Sequence, residues 1–238
     1  MKNSCMIILL IIMTAGCKNR HSTIEKTASE NDTASFPQET VNFIPYEKNP
    51  VFTGTGTDTW DQIIRERGYI IKEEGVYYMW YTGYREGQYQ NRHLGYATSP
   101  DGFVWTKYKS NPIFDSGWVE DMCVVKSDST YYMFAEGRND IAHLLTSSDK
   151  IHWEEQGPLD IRYTNGEPLA KGPYGTPSVW LENGIWYLFY ERDDLGIWLA
   201  VSTDLKVWTN KLDEPVIKMG PEIYDTFAVA ADQVIRVC

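Results

Sequence analysis

Two kinds of short stretch in this sequence carry side chains suited to acid–base chemistry. In the first kind an acid stands ahead of an apolar run: Asp61, with Glu66 and Arg67 a few residues on, then Asp121, then Asp232. In the second kind an acid follows a run of aromatics: Glu136-Gly137-Arg138 and Glu191-Arg192-Asp193-Asp194. Carboxylates brought to one concave site repel each other or pair with cations, and their pKa values are pushed apart. One carboxyl held protonated and another ionised is what general acid–base work needs. Arg67, Arg138 and Arg192 stand next to these acids, as charge-balancing partners or as ligands for an anionic or hydroxyl-rich substrate. His93, His143 and His152 are neither clustered nor spaced as ligands, and no CxxC or Cys/His metal spacing occurs. No cofactor and no metal is expected from these residues, although a structural metal in a central channel stays open.

The elements that must position these acids are announced by a repeat. Ser-x-Asp-x-x-x-Trp occurs at Ser99, Asp101 and Trp105, at Ser147, Asp149 and Trp153, and at Ser202, Asp204 and Trp208. A doubled aromatic followed by apolar residues occurs as Tyr77-Tyr78, Tyr131-Tyr132 and Trp186-Tyr187. Both motifs recur at about 50 residues. Each unit reads as a short apolar strand (Tyr69 to Lys72, Met122 to Lys126, Ser178 to Leu181), a tight turn, and the aromatic strand. A third strand follows (His93 to Thr98, Ala142 to Thr146, Ile197 to Val201), then the Ser-x-Asp turn and a fourth strand with the Trp. Four antiparallel strands per unit of this length is the arithmetic of an all-β propeller blade. The Asp of each Ser-x-Asp turn is expected to cap turn amides. Cys123, inside an apolar stretch, reads as a small core residue.

In such a blade the start of the first strand and the end of the second share one face. Asp61, Glu66, Arg67, Asp121 and Asp232 come before first strands, and Glu136, Arg138, Glu191, Arg192 and Asp193 come after second strands. All are therefore expected at one mouth of a central funnel, with Trp60, Trp118 and Tyr224 at its rim.

Composition agrees with this picture. The chain has 238 residues, 14% of them aromatic, with 9 Trp and 16 Tyr, which suits half-buried strands. A net charge of −11 makes a general nucleic-acid partner a poor expectation, because phosphate neutralisation needs clustered Lys and Arg. At the C-terminal end Glu214-Pro215-Val216-Ile217 echoes Asn49-Pro50-Val51-Phe52, and residues 232–236 read as the innermost strand of a fourth blade. That makes about three and a quarter blades, so the sequence reads as a C-terminally incomplete piece of a longer propeller.

Residues 1–17 read as a secretory signal, with Lys2 ahead of the apolar run Met6 to Met13. Thr14-Ala15-Gly16-Cys17 resembles a bacterial lipobox, which implies lipid attachment at Cys17 and anchoring at the bacterial cell envelope. Residues 18–43 read as a polar tether and residues 44–238 as the propeller domain.

The stretch Gly68 to Gly83, with Leu94-Gly95-Tyr96-Ala97-Thr98-Ser99-Pro100-Asp101-Gly102 and Trp105, resembles the five-bladed β-propeller glycoside hydrolases, the arabinanase/xylosidase-like, invertase-like and mannoside-phosphorylase-like enzymes. The resemblance covers about residues 45–238. It implies an acid at the start of the innermost strand of successive blades. Asp121 and Asp232 fall on that position, whereas Arg67 and Thr176 occupy it in blades one and three. The reading that follows is a glycosidase acting on poly- or oligosaccharides, with Asp61 or Asp121 as base, Glu191 as acid, and Asp232 as pKa modulator or sugar ligand. Trp60, Glu66, Arg67, Glu136, Arg138, Arg192 and Asp193 would contact substrate. A phosphorylase would instead use Arg67, Arg138 and Arg192 to hold phosphate. The alternative from another class is a non-catalytic surface glycan-binding lipoprotein, or an inactive remnant of such an enzyme.

Overall fold

The computed structural model describes residues 7–9, 42–65, 67–169, 172–223 and 225–236. Cys17, Glu66 and Tyr224, singled out above, lie outside the described residues, as does the whole tether up to residue 41. The chain divides into a smaller unit, residues 1–49 with 234–238, and a larger one, residues 50–233. The smaller unit opens with β1 (Ile7–Leu9).

The larger unit holds three sheets, one per sequence repeat. In blade one, β2 (Ile63–Ile64) and β3 (Tyr69–Glu73) both pair with β4 (Val76–Tyr84), which is followed by β5 (His93–Ser99) and β6 (Thr106–Lys107). Blade two is β7 (Glu120–Ser127), β8 (Thr130–Glu136), β9 (Ala142–Ser147) and β10 (Glu154–Pro158). Blade three opens with β11 (Asp160–Arg162) and continues as β12 (Gly175–Glu182), β13 (Ile185–Glu191), β14 (Gly196–Ser202), β15 (Val207–Asn210) and β16 (Ile217–Lys218). The described residues contain no helix, and the fold is all-β and propeller-like.

Local chemistry explains the elements. Glu74-Gly75 and Asn183-Gly184 both have positive φ at each residue, 49° and 83°, then 52° and 76°, the backbone of a two-residue hairpin turn. In the first Ser-x-Asp turn the Ser99 hydroxyl accepts the Gly102 amide at 2.8 Å, and Asp101 Oδ1 accepts the Phe103 and Val104 amides at 2.8 Å each. The pattern returns at Asp149 and at Asp204, so these three acids serve the backbone. Cys123 is buried and free, as its apolar setting implies.

Two features depart from the sequence reading. Blade three is not wholly antiparallel. Strand β11, arriving from blade two, runs parallel to β15 with Ile161 opposite Trp208, and so covers the backbone groups of an outer edge. The smaller unit closes with β17 (Val234–Arg236), the expected innermost strand of a fourth blade. Its described partner is antiparallel β1, with Ile8 opposite Ile235.

The blades are held face to face by aromatic and aliphatic side chains. Trp80, Leu94, Val119, Met133 and Leu145 pack in one buried cluster, and Phe134, Leu188, Tyr190 and Trp208 in another. Each such side chain, fully buried, contributes roughly 1.5–3 kcal/mol.

Candidate functional site

The first strands of the blades do not start cleanly. Register shifts interrupt β7 between Glu120 and Cys123 and β12 between Gly175 and Ser178. In blade one the break between β2 and β3 falls at the same place. At each break a residue other than glycine takes a left-handed backbone: Arg67 at φ 59°, Asp121 at 46° and Thr176 at 45°. For a β-branched residue such as Thr176 this conformation is a rare outlier. Bulges of this kind re-aim side chains, and strain of this kind clusters at functional sites.

These bulges and the ends of β8 and β13 line a cleft of about 450 Å³. Asp121, Glu136, Asp140, Glu191, Asp193 and Asp194 supply its six carboxylates, and Arg65 and Arg67 its two cations. Asp121 lies 3.5 Å from Arg67 Nη2 and 4.0 Å from Arg65 Nε. Glu120, behind it and fully buried, pairs with Arg65 Nε at 2.6 Å and with Arg92.

Glu136 stands opposite Glu120 in the strand register and is 6% exposed. One of its oxygens accepts the Thr176 amide at 2.7 Å and the Thr176 hydroxyl at 3.2 Å. Burial raises its pKa, and Asp121, Asp140 and Glu191 add to the rise. The Thr176 amide offsets part of it, and the carboxyl ends at about 7. Glu191 is likewise raised by burial first, with Asp194 and Asp140 adding charge, although it accepts the Asp194 amide at 2.7 Å. The space between Glu136 and Glu191 exists because residue 175 is glycine. A methyl carbon there would sit 2.1 Å from Glu136 Oε2 and 3.0 Å from Glu191 Oε1.

Glu120, Asp121 and Glu136 each offer an oxygen within 4.8 Å of the others, the one such group among the described residues that could hold a cation. The Arg65 and Arg92 guanidiniums already neutralise Glu120 there.

Of the expected site residues, Arg67, Asp121, Glu136, Glu191 and Asp193 line this cleft. Others do not. Asp61 is fully buried away from it, held by Lys107 Nζ at 2.6 Å, the Thr55 hydroxyl at 2.9 Å and the Tyr81 hydroxyl at 3.3 Å. Burial works against its charge, but Lys107 and Thr55 more than offset it and keep the pKa below the ordinary value. Asp61 is therefore not brought together with the acids of the cleft. Trp60 stacks on Tyr81 at 5.7 Å, in space left by Gly83 and Gly95, so its ring is spent on blade one. Arg192 lies 5.0 Å over the Trp198 ring, and Arg138 is exposed beside Gly117. Asp232 is exposed outside the cleft lining, near enough to Cys123 to add to the burial that pushes that thiol to about 11.

Sequence reasoning missed Glu120, Arg65, Arg92 and Asp140. Aligning the repeats would have found Asp140, since Asn139-Asp140 precedes Ile141 as Asp193-Asp194 precedes Leu195. Ile141 and Leu195 each make a parallel bridge to the chain beyond their own blade, at Tyr174 and Val229. The two Arg–Glu120 pairs cross between blades and leave no mark in local spacing.

No family model matches the chain. In sequence it is 27% identical over 199 residues to a 1,2-β-oligomannan phosphorylase of Thermoanaerobacter sp. (strain X514), covering 76% of this chain and 62% of that one. In structure it is similar to a glycosyl hydrolase from Bacteroides ovatus, with a TM-score of 0.59 and 20% identity over 73% of this chain and 60% of that one. It is also similar to the β-1,2-mannobiose phosphorylase from Listeria innocua, with a TM-score of 0.57 and 17% identity over 78% and 69%. The chain spans about three fifths of the curated relative's length. It carries the propeller-like fold shared by these glycoside hydrolases and mannoside phosphorylases.

Proposed function

We propose that this chain is a glycoside hydrolase acting on oligosaccharides, with Glu136 as general acid and Asp121 as its carboxylate partner. The observation that carries this reading is the pair of opposite environments inside one cleft. Glu136 is buried among other acids, which raises its pKa to about 7. Asp121 faces two guanidiniums. Two carboxyls in such different surroundings are suited to protonating a leaving oxygen and to activating a nucleophile. Burial, with the neighbouring acids Asp121, Asp140 and Glu191, favours the protonated form of Glu136, and Arg67 and Asp193 meet sugar hydroxyls.

Hydrolysis is favoured over phosphorolysis by the same charges. A phosphorylase must admit a phosphate dianion. Here six carboxylates line the cleft, and its two arginines lie against Asp121 and Glu120. Arg138 and Arg192 are not in the lining of this cleft. A neutral water is a better fit than a phosphate dianion to a cleft lined mainly by acids. The test is incubation with a panel of α- and β-linked oligosaccharides, β-1,2-mannobiose and longer β-1,2-manno-oligosaccharides included, with and without inorganic phosphate. Free reducing sugar in phosphate-free buffer supports the proposal. Sugar 1-phosphate formed only with phosphate contradicts it, and binding without turnover supports a glycan-binding protein.

We also propose that Cys17 is lipidated and holds the domain at the bacterial envelope. Radiolabelled palmitate should enter the wild-type chain in bacterial cells and not Cys17→Ala. Equal labelling of both contradicts the anchor.

A further inference from the structure

The loop after the second strand is not the same in the three blades. It takes residues 137–141 in blade two and 192–195 in blade three, but residues 85–92 in blade one. This longer loop is built, not slack. Two successive turns close it, Gln88 N to Arg85 O at 2.9 Å and Asn91 N to Gln88 O at 2.8 Å. Its near end is pinned by Arg85 Nη2 to Asp58 O at 2.7 Å and by Gln62 Nε2 to Glu86 Oε2 at 3.0 Å. Its far end is tied to the acid cluster. Arg92 donates from Nε to the Tyr89 carbonyl at 3.1 Å and pairs through Nη1 with Glu120, which lies within 4.8 Å of Asp121 and Glu136.

At the tip of this loop Tyr89 is 59% exposed. A large aromatic ring left in water on a pinned loop is unlike the other tyrosines of the blades, which pack into sheets. Other exposed aromatics sit elsewhere: Phe103 on a Ser-x-Asp turn, Phe43 and Tyr46 ahead of blade one, and Phe227 after β16. Tyr89 alone among them is bonded, through its carbonyl and Arg92, to the carboxylate cluster. A ring with an apolar face and a hydroxyl suits a partner that is itself flat on one face and hydroxylated at its edge, and a pinned loop loses little entropy on binding.

We propose that Tyr89 is the platform of a second sugar-binding position, one that takes a saccharide unit away from the bond being cleaved. This rests on the reading of the cleft as a glycoside-hydrolase site and adds that the site grips chains longer than a disaccharide. The Tyr89 ring stacks on the distal sugar, and Arg92 fixes the loop against Glu120 so that cleft and platform keep their spacing.

The test is the dissociation constant of β-1,2-mannobiose and β-1,2-mannotetraose, and of β-1,4-xylose and α-1,5-arabinose oligomers of two and four units. It is read by tryptophan fluorescence for the wild-type chain, Tyr89→Ala and Tyr89→Phe. Turnover is followed in the same samples. For at least one series the tetramer should bind the wild type more tightly than the dimer. Tyr89→Ala should weaken the tetramer about ten-fold, which corresponds to about 1.4 kcal/mol, and leave the dimer unchanged. Tyr89→Phe should keep most of the difference. The proposal is overturned if Tyr89→Ala keeps the full preference for the tetramer, or if no series is bound more tightly as it lengthens. Length-dependent binding without turnover would sink the hydrolase reading and leave the platform standing.

Discussion

Glu136 shows how one residue joins stability to chemistry. Its carboxyl is raised to about 7, so the folded chain holds a proton there that the unfolded chain has released by that pH. The folded state therefore binds more protons between the ordinary glutamate pKa and about 7, and stability falls as pH rises across that window. Glu136→Gln removes the penalty. It should be more stable than wild type at pH 8, by about 2 kcal/mol, with little difference at pH 4, as denaturant midpoints would show. A wild type no less stable at pH 8 than its Gln variant would refute the burial argument. Asp61 has the opposite sign. Its carboxyl is held below the ordinary value by Lys107 and Thr55, so it stabilises the fold above that value and the contribution fades as pH falls through the depressed one. Asp61→Ala removes the carboxylate that neutralises Lys107 and should destabilise by about 3 kcal/mol at pH 7, near the low end for a broken buried pair because Lys107 is partly exposed. Kinetics of any surviving folded Asp61→Ala should match wild type, since Asp61 is outside the cleft.

The strand is the scale at which the site is made. A bulge at the start of each first strand turns Arg67, Asp121 and Thr176 inward, and Gly175 leaves room for two carboxylates side by side. Gly175→Ala puts a methyl group into that room. It should push Glu136 and Glu191 apart and lower kcat by about 100-fold, the effect of a misplacement of an ångström, while circular dichroism keeps the all-β signature. Unchanged kcat would show that the spacing of these carboxylates is unimportant. Most of the elements were legible in the sequence, because the Ser-x-Asp turn, the paired aromatics and the glycine hairpins are local chemistry repeated at one period. Strands β3, β7 and β12, β4, β8 and β13, and β5, β9 and β14 stand where that period puts them. The site was legible in part. Asp121, Glu136 and Glu191 could be placed by position in the repeat. Asp61 could not be excluded, because its partner Lys107 is 46 residues away and nothing local announces the pair. The ion pairs of Glu120 and the parallel seat of β11 were invisible for the same reason.

At the scale of the whole chain, the blades bring six carboxylates and two arginines from separate repeats to one cleft. The proposal that water is the acceptor rests on the acidic lining of this cleft. The most direct test of this account compares wild type, Asp121→Asn and Glu136→Gln for release of sugar from β-1,2-manno-, xylo- and arabino-oligosaccharides in phosphate-free buffer. The account predicts turnover by wild type that added phosphate does not raise, a loss of about 100-fold or more in each variant, and in wild type a fall in kcat/KM as pH rises through about 7. Variants as active as wild type, or release that requires phosphate and yields sugar 1-phosphate, would contradict it.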